Sequence, residues 1–242
     1  MSTITKTQQK VIATVVKDMV LQQGLGTRES TCSIAAINLA LTGELTDTIP
    51  DCMSIVIGNW ILTVQDTMPS AIRNSSEWKT LLPLAAGTGR TKEKERLALI
   101  TAWMWDTVLP TLQPIANKNG YGIHWLLMTT ERTSDAARSA AAVAKAAANA
   151  AIAYSYSADT ATVHANASDA AAYAAMEVTT NVATYTTEGH AARAAKVASY
   201  AIKTDTAVKS TKNNRVSRTA EIDIQTWTTF DPCLLLQQLI EV

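Results

Sequence analysis

The chain has 242 residues, nearly half of them apolar, which suits one large domain or two modest ones with a sizeable core. Its formal net charge is zero, which argues against broad, sequence-independent nucleic-acid binding, because such binding needs a basic surface that displaces counterions, but does not exclude a small local pocket of Arg and Lys. No apolar run reaches the roughly 18 residues of a membrane span and the first residues are polar, so we expect a cytoplasmic protein without a membrane segment.

The first hundred residues are predicted to be helical. Apolar residues recur at helical spacing in the first segment: Val11, Ile12, Val15, Val16, Met19 and Val20. They predict a helix over residues 5–23 that Gly24 and Gly26 end. A second helix is predicted from Ser30 to Leu41, and a third is opened by Pro50 and stops before residue 69.

The middle of the chain alternates short helices with loops. Ser75 is a candidate cap for one helix, and Thr91 caps the next, which runs to about Val108. Pro110 and Pro114 are expected to break that helix. Residues 119–122 form a predicted turn.

Alanine dominates residues 135–201 and predicts closely packed helices, because only methyl groups separate backbones that meet through alanine faces. Three similar helix openings are expected, at Ser134, Ser168 and Gly189. Polar and apolar residues alternate over 221–227, which is typical of a short strand. Asp231 followed by Pro232 predicts the start of a terminal helix.

These patterns predict an all-α fold, either a multi-helix bundle or stacked helical hairpins, with an Ala-rich C-terminal half and one short strand near 221–227. Residues 1–130 form a Trp-rich helical part and residues 131–242 an Ala-rich part with a C-terminal docking helix, the two taken as one continuous domain. The three cysteines are far apart and predict buried free thiols. We expect no metal site, since no Cys or His spacing suggests one, and no cofactor.

The segment Gly87, Thr88, Gly89 and Arg90 is a candidate anion site. Two glycines would let backbone N–H groups turn toward a phosphate in front of a helix N-terminus, and Arg90 would add a bidentate contact. The Walker A spacing is absent. The alternative is a plain helix–loop–helix turn.

A second group of candidates follows in the next helices. Trp105 is two residues from Trp103 and cannot share its helix face, so it is a candidate stacking group, the alternative being a half-buried packing role. His124 lies near Glu131 and Arg132, but no partner base or nucleophile is evident.

Cations spaced along the Ala-rich tract are further candidate ligand contacts. Arg138 and Lys145 are seven residues apart and share a helix face, and Arg193 lies on a later helix. With the tyrosines between them they could hold a phosphorylated aromatic ligand. The alternative is a solvated helix face with tyrosine packed on alanine.

Residues 32–116 resemble uncharacterised helical proteins found in phages and prophages. The resemblance is carried by four stretches: Asn38–Gly43, Ile49–Ser54, Arg73–Ser75 and Leu82–Arg90. The Ala-rich second half is similar in texture to small helical proteins described as immunity proteins. The first resemblance implies a viral setting, in which small non-enzymatic accessory proteins are common, and supplies no catalytic residue.

Three classes of function remain from the sequence. The first, which we favour, is a non-enzymatic phage protein that sequesters a small nucleotide-like signal of host antiviral defence, because it needs affinity and no chemistry. The second is a helical scaffold that binds or inhibits a protein through an exposed apolar patch. The third is a phosphoesterase-type hydrolase, which needs a metal cluster or activated nucleophile. Helix faces made of alanine allow close packing between subunits, so the sequence also predicts a homo-oligomer.

Overall fold

The fold is all-α. The computed structural model describes residues 4–153, 158–179, 187–208 and 215–242. Within these residues the only sheet is a two-stranded parallel pair, in which Val20 faces Ser30 and Leu21 faces Thr31. No helix in the described part of the chain is long and apolar enough to cross a membrane. The contacts group the chain into two compact units.

The first unit comprises residues 1–100 together with Asp231–Val242. Its elements are α1 (Lys6–Asp18), β1 (Val20–Leu21), β2 (Ser30–Thr31), α2 (Ser33–Thr42), α3 (Ile55–Gln65), α4 (Ser70–Arg73), α5 (Ser76–Ala85), most of α6 (Glu93–Trp103) and the C-terminal helix α13 (Pro232–Glu241). The division at residue 130 that the composition suggests stays a prediction about domains.

Local signals start and stop these helices. Thr5 caps α1 with a capping box completed by Gln8, and Ser75 caps α5 through the Trp78 amide. Gly43 ends α2 in the left-handed conformation, with φ of 76°. The prediction that Pro50 opens the third helix was wrong, because α3 begins at Ile55 behind the Ser54 cap.

The core of the first unit is built around two tryptophans. Trp60 and Trp78 are fully buried, with ring centroids 6.1 Å apart. The Trp78 indole nitrogen donates to the Ser33 hydroxyl at 3.1 Å, which satisfies its polar atom inside the core. Helix α13 contributes Leu235, Leu236 and Leu239, all buried, after a start at Asp231 that confirms the Asp–Pro signal.

The second unit covers residues 101–230. After the end of α6 it contains a π-helical turn (Met104–Val108), a 3-10 turn (Leu109–Leu112), α7 (Gln113–Lys118), α8 (Gly122–Glu131), α9 (Ser134–Ala153), α10 (Ala158–Thr179), α11 (Thr187–Val208) and α12 (Arg215–Phe230). Where the prolines are predicted to break the helix, the chain forms the 3-10 turn and then starts α7. Pro110 and Pro114 lie in the first turns of the 3-10 segment and of α7, where a missing N–H costs little.

Alanine faces hold the long helices of this unit together. Helix α10 packs on both α9 and α11. The buried alanines of α9 recur every three or four residues: Ala137, Ala140, Ala144, Ala148 and Ala151. Alanines of α10 and α11 are buried in the same way, including Ala170 and Ala195. The expectation of close packing through alanine is confirmed.

Two predictions in the second half were wrong. Residues 221–227 lie inside α12 and not in a strand, since Thr226, Trp227 and Phe230 are buried at helical spacing. Ser168 lies inside α10 and opens no helix; among the described residues its hydroxyl caps no N–H of its own helix and donates to the Ala141 carbonyl of α9 at 2.9 Å. The polar, basic stretch from Lys209 to Arg218 also predicts a loop; it falls largely outside the described residues, and its last four residues begin α12.

Candidate functional site

The predicted glycine loop uses its backbone donors internally. The amides of Gly87, Thr88 and Gly89 donate to the carbonyls of Leu84, Ala85 and Cys52, at 3.0, 3.2 and 2.8 Å. The Thr88 hydroxyl accepts the Ser54 amide at 3.0 Å. An anion bound by these amides would have to replace hydrogen bonds that the fold already makes.

Two arginines near this loop differ in what they contact. Arg90 lies at the surface, where its guanidinium pairs with Asp51 at 3.0 Å. Arg96 is buried and donates to the carbonyls of Thr91 at 2.7 Å and Leu239 at 2.9 Å. Burial lowers the pKa of Arg96, with Glu93 and Glu95 opposing that shift. The loop therefore turns carbonyl groups toward a cation.

Two predicted arginines of the second unit are ion-paired. Arg132 ends α8 in the left-handed conformation, with φ of 53°, and pairs with Asp106. Arg138 pairs with Asp135 one turn earlier on α9, at 2.5 Å. A ligand phosphate at either arginine would compete with a carboxylate.

Trp105 and His124 have packing roles in the structure. The Trp105 side chain is buried in the second unit at 3 % exposure, so no stacking face is open to a ligand in this conformation. His124 is half-buried on α8, and its Nδ1 lies 3.1 Å from the Ser139 hydroxyl of α9.

Lys145 and Arg193 are both exposed. Lys145 lines a groove of about 530 Å³ between α9 and α10, where Ala141, Ala148 and Asp169 are among the other lining residues. Arg193 is on α11. The structure thus places Gly87 to Arg90 in the first unit and the remaining predicted ligand contacts in the second. Their role in binding stays a prediction.

A basic groove that the sequence analysis missed lies between α1 and α5. Four lysines line it: Lys6, Lys10, Lys17 and Lys79. We call it the lysine groove. Its volume is about 730 Å³, and Ala13, Pro83 and Leu84 give it an apolar surface. No carboxylate is among the described residues that line it, so its charge is positive at neutral pH.

The two helices of the lysine groove run antiparallel. At one end Lys79 of α5 donates to the carbonyls of Lys17 and Met19, at 3.2 and 2.7 Å, and so neutralises the C-terminus of α1. At the other end Gly87, just after α5, lies against Gln9 of α1. Lys6 and Lys10 therefore lie near Leu84, and Lys17 lies near the start of α5.

The sequence did contain a signal for this groove. Lys6, Lys10 and Lys17 are spaced by four and seven residues, which places three ammonium groups along one stripe of α1. The apolar residues that predict this helix lie on other faces, where Ile12 and Val16 are buried while Val11 is exposed. The contribution of α5 depends on tertiary packing and carries no local signal.

A buried polar cluster lies in the second unit. The Tyr121 hydroxyl lies 3.3 Å from Nδ1 of His164, and Lys118 pairs with Asp205 at 3.0 Å. Burial lowers the pKa of His164, while Asp205 opposes and Lys118 adds to that shift. Burial, assisted by Asp205, raises the pKa of Tyr121. His164 is only 4 % exposed, so this cluster has little room for a substrate.

The cysteines are free and buried, as expected: Cys32, Cys52 and Cys233. Burial is the main cause that raises the pKa of Cys233 to about 12, so this thiol is a poor nucleophile at neutral pH. Among the described residues no group of three or more His, Cys, Asp or Glu side chains could hold a metal ion.

Comparison with protein-family models, with curated proteins and with solved structures gives no match to this chain.

Proposed function

We propose that this protein is a non-enzymatic binding protein for a small anionic ligand of the nucleotide type. The observation that carries the proposal is the lysine groove, where four ammonium groups surround an apolar surface without a lining carboxylate among the described residues. Its volume of about 730 Å³ lies within the range of small-molecule sites.

The groove has the two kinds of surface that a nucleotide needs. Lysine ammonium groups attract phosphate oxygens, and the exposed aliphatic surface of Ala13 and Leu84 can cover the face of a base or sugar. Leu84 is 47 % exposed, which leaves apolar area that a ligand would remove from water. Binding of this kind requires no catalytic group.

The viral setting that the phage resemblance implies gives such binding a purpose. In the host cytoplasm, a protein that holds a nucleotide signal of antiviral defence keeps it from its receptor. This purpose needs tight capture and slow release, and it needs no turnover.

A thermal-shift screen against linear and cyclic nucleotides tests the proposal. A ligand at 100 times its dissociation constant adds about 2.7 kcal/mol, which should raise the melting midpoint of a chain of this size by roughly 5–10 °C. We expect one nucleotide class to produce this shift and to be recovered unchanged by chromatography. The Lys10→Glu variant should abolish the shift, while the matched control Lys94→Glu, an exposed lysine of α6 outside the groove, should retain it.

Three results would overturn the proposal. An unchanged melting midpoint across the panel would exclude a nucleotide ligand. Turnover of the ligand would mean that the protein is a hydrolase. A shift that survives Lys10→Glu but is lost in Arg138→Glu would place the ligand at the residues predicted from the sequence and not in the lysine groove.

A second candidate function, protein binding, is favoured by one surface of α8. Ile123, Leu126 and Leu127 are 76, 57 and 44 % exposed and share one helix face. We propose this face as the contact for the homo-oligomer that the sequence predicts. Sedimentation over a range of protein concentrations should show association that Leu126→Lys abolishes, and a monomer at every concentration would refute it.

A further inference from the structure

The spacing of charge along the lysine groove says more about the ligand than the groove's presence does. Lys6 and Lys10 are separated by one turn of α1, about 6 Å of helix rise, and Lys17 lies about 10 Å further along the same stripe. The backbone positions of the three lysines thus extend over about 16 Å of helix rise. A single phosphate group, or the compact phosphate chain of one nucleotide, reaches only one end of this stripe.

The far end of the stripe is held in place by α5. Lys79 donates two of its three hydrogens to the carbonyls of Lys17 and Met19, so it fixes the C-terminus of α1 and still adds positive charge beside Lys17. Asn74, which also lines the groove, is tied to the backbone of Leu21 by hydrogen bonds of 2.8 Å in each direction. This end of the groove is therefore formed before any ligand arrives.

We propose that the lysine groove takes a short linear oligonucleotide, bound through three phosphates along the α1 stripe. This inference rests on the proposed function and specifies its ligand class. Successive phosphates of a stretched single strand carry one charge each at intervals comparable with a helix turn, so two of them match Lys6 and Lys10. The third reaches Lys17, two turns further on, through the long and flexible lysine side chain, which the compact phosphate of a mononucleotide cannot do. The groove ends with α1, which limits the length that is recognised.

The apolar surface predicts weak discrimination between bases. Strong stacking platforms in single-strand binding proteins are aromatic, and no aromatic side chain is among the described residues that line this groove. Ala13 and Leu84 offer an exposed aliphatic surface that any base can cover. Phosphate contacts, which are indifferent to sequence, then supply most of the affinity.

Fluorescence anisotropy with labelled 5′-phosphorylated oligothymidylates of one, two, three and six residues tests the inference. Affinity should rise roughly two- to fivefold with each phosphate up to the third and change little beyond it. For the trimer, the logarithm of the association constant should fall against the logarithm of salt concentration with a slope of about −2, as expected for three phosphates on a single strand.

Lysine variants test whether this salt dependence arises from the lysines of α1. Lys6→Gln should weaken trimer binding and reduce the salt slope by about 0.7, because one phosphate contact is lost. Lys94→Gln, outside the groove, should change neither. Replacing the thymidylates by adenylates of equal length should alter the affinity less than twofold.

The outcomes separate this inference from the function it rests on. If the mononucleotide binds as tightly as the trimer, or only cyclic nucleotides bind, the oligonucleotide ligand is wrong while the nucleotide-binding function stands. If no nucleotide, linear or cyclic, binds at all, the proposed function fails as well. If the trimer binds and Lys6→Gln leaves its slope unchanged, the site is elsewhere and the inference fails.

Discussion

At the scale of single residues, charged side chains in the first unit complete the hydrogen bonding of backbone groups. Glu93 accepts the Ser54 hydroxyl at 2.5 Å and the Ile55 amide at 3.1 Å, so its carboxylate covers the positive N-terminus of α3. Buried Arg96 binds carbonyls of the loop before α6 and of α13. These contacts connect segments that are far apart in sequence.

Replacing Glu93 should destabilise the protein. Glu93→Gln removes the charge at the start of α3 and weakens the hydrogen bonds to Ser54 and Ile55, for which we expect a loss of about 1–2 kcal/mol in the free energy of unfolding. Urea denaturation measures it. The matched control is Glu95→Gln, whose carboxylate forms an exposed pair with Lys92 at 3.6 Å and caps no helix in the described part of the chain; this change should cost less than about 0.5 kcal/mol. Equal losses in the two variants would refute the capping role.

The sequence could not distinguish the two arginines of this region. Arg90 follows a glycine loop and satisfies the local pattern of an anion site, whereas Arg96 lies six residues later in an ordinary helical stretch. What makes Arg96 structural is the Leu239 carbonyl, which is 143 residues away along the chain. Contacts of that separation leave no local signature.

Two histidines of the second unit, His164, which is buried, and His190, which is half-buried, should make stability depend on pH. Burial lowers the folded-state pKa of His164 and of His190, to which Arg193 adds at His190. An unfolded histidine takes up a proton near pH 6.5, and the folded chain resists it. Stability is therefore full above about pH 6.5 and is lost as the pH falls below that value.

Thermal denaturation between pH 7.5 and pH 5 checks this sign. The melting midpoint should fall toward pH 5, because the free energy of unfolding decreases within the window by up to about 1.4 kcal/mol per pH unit for His164 and by less for the partly buried His190. A variant with His164→Gln and His190→Gln should show a smaller fall. The same pH dependence in both proteins would contradict the assignment.

At the scale of elements, alanine faces decide how α9, α10 and α11 pack. Most of the side chains buried between these helices are the methyl groups of alanine, so the sequence pattern identified the packing without any long-range information. The same Ala-rich composition made the helix boundaries hard to predict from the sequence. Ser168 resembles a helix cap from its neighbours, yet it lies in mid-helix because the Ala141 carbonyl accepts its hydroxyl.

The strand predicted at 221–227 failed for a related reason. Alternation over so few residues also fits a helix with one buried face, and packing decides between them. Trp227 and Phe230, three residues apart, meet edge to face with centroids 5.4 Å apart, which a helix allows and an extended strand does not.

A pair of identical substitutions on α9 tests the alanine packing. Ala144 is fully buried, and Ala146 is exposed two residues later on the same helix. Ala144→Leu should lower the free energy of unfolding by about 1–3 kcal/mol or more, because the larger side chain forces neighbouring backbone apart. Ala146→Leu should change it by less than about 0.5 kcal/mol, since both residues favour helix. Urea denaturation of both variants would refute the packing if the losses were equal.

At the scale of the whole molecule, the first unit is not continuous in sequence. The first unit takes residues from both ends of the described chain, and residues 101–230 form the second unit between them. Helix α13 places Leu235, Leu236 and Leu239 in the core of the first unit, and the Leu239 carbonyl binds buried Arg96. The sequence predicted that this helix docks, and the structure shows which unit receives it.

Removing α13 should therefore destabilise the first unit selectively. A chain that ends at Phe230 loses three buried leucines, each worth about 1.5–3 kcal/mol, and leaves Arg96 without one of its acceptors. Hydrogen exchange should show lost protection in α1, α2, α3 and α5, while α9, α10 and α11 stay protected.

The matched control removes only Glu241 and Val242, which are exposed, and should leave hydrogen-exchange protection unchanged in both units. Equal loss of protection in the two units would mean that they unfold as one cooperative body. Unchanged protection in α1 to α5 would mean that α13 contributes little to the first core. The expected result, loss confined to the first unit, would identify α13 as part of the support on which the lysine groove depends, since α13 packs against α5 and α5 forms one wall of that groove.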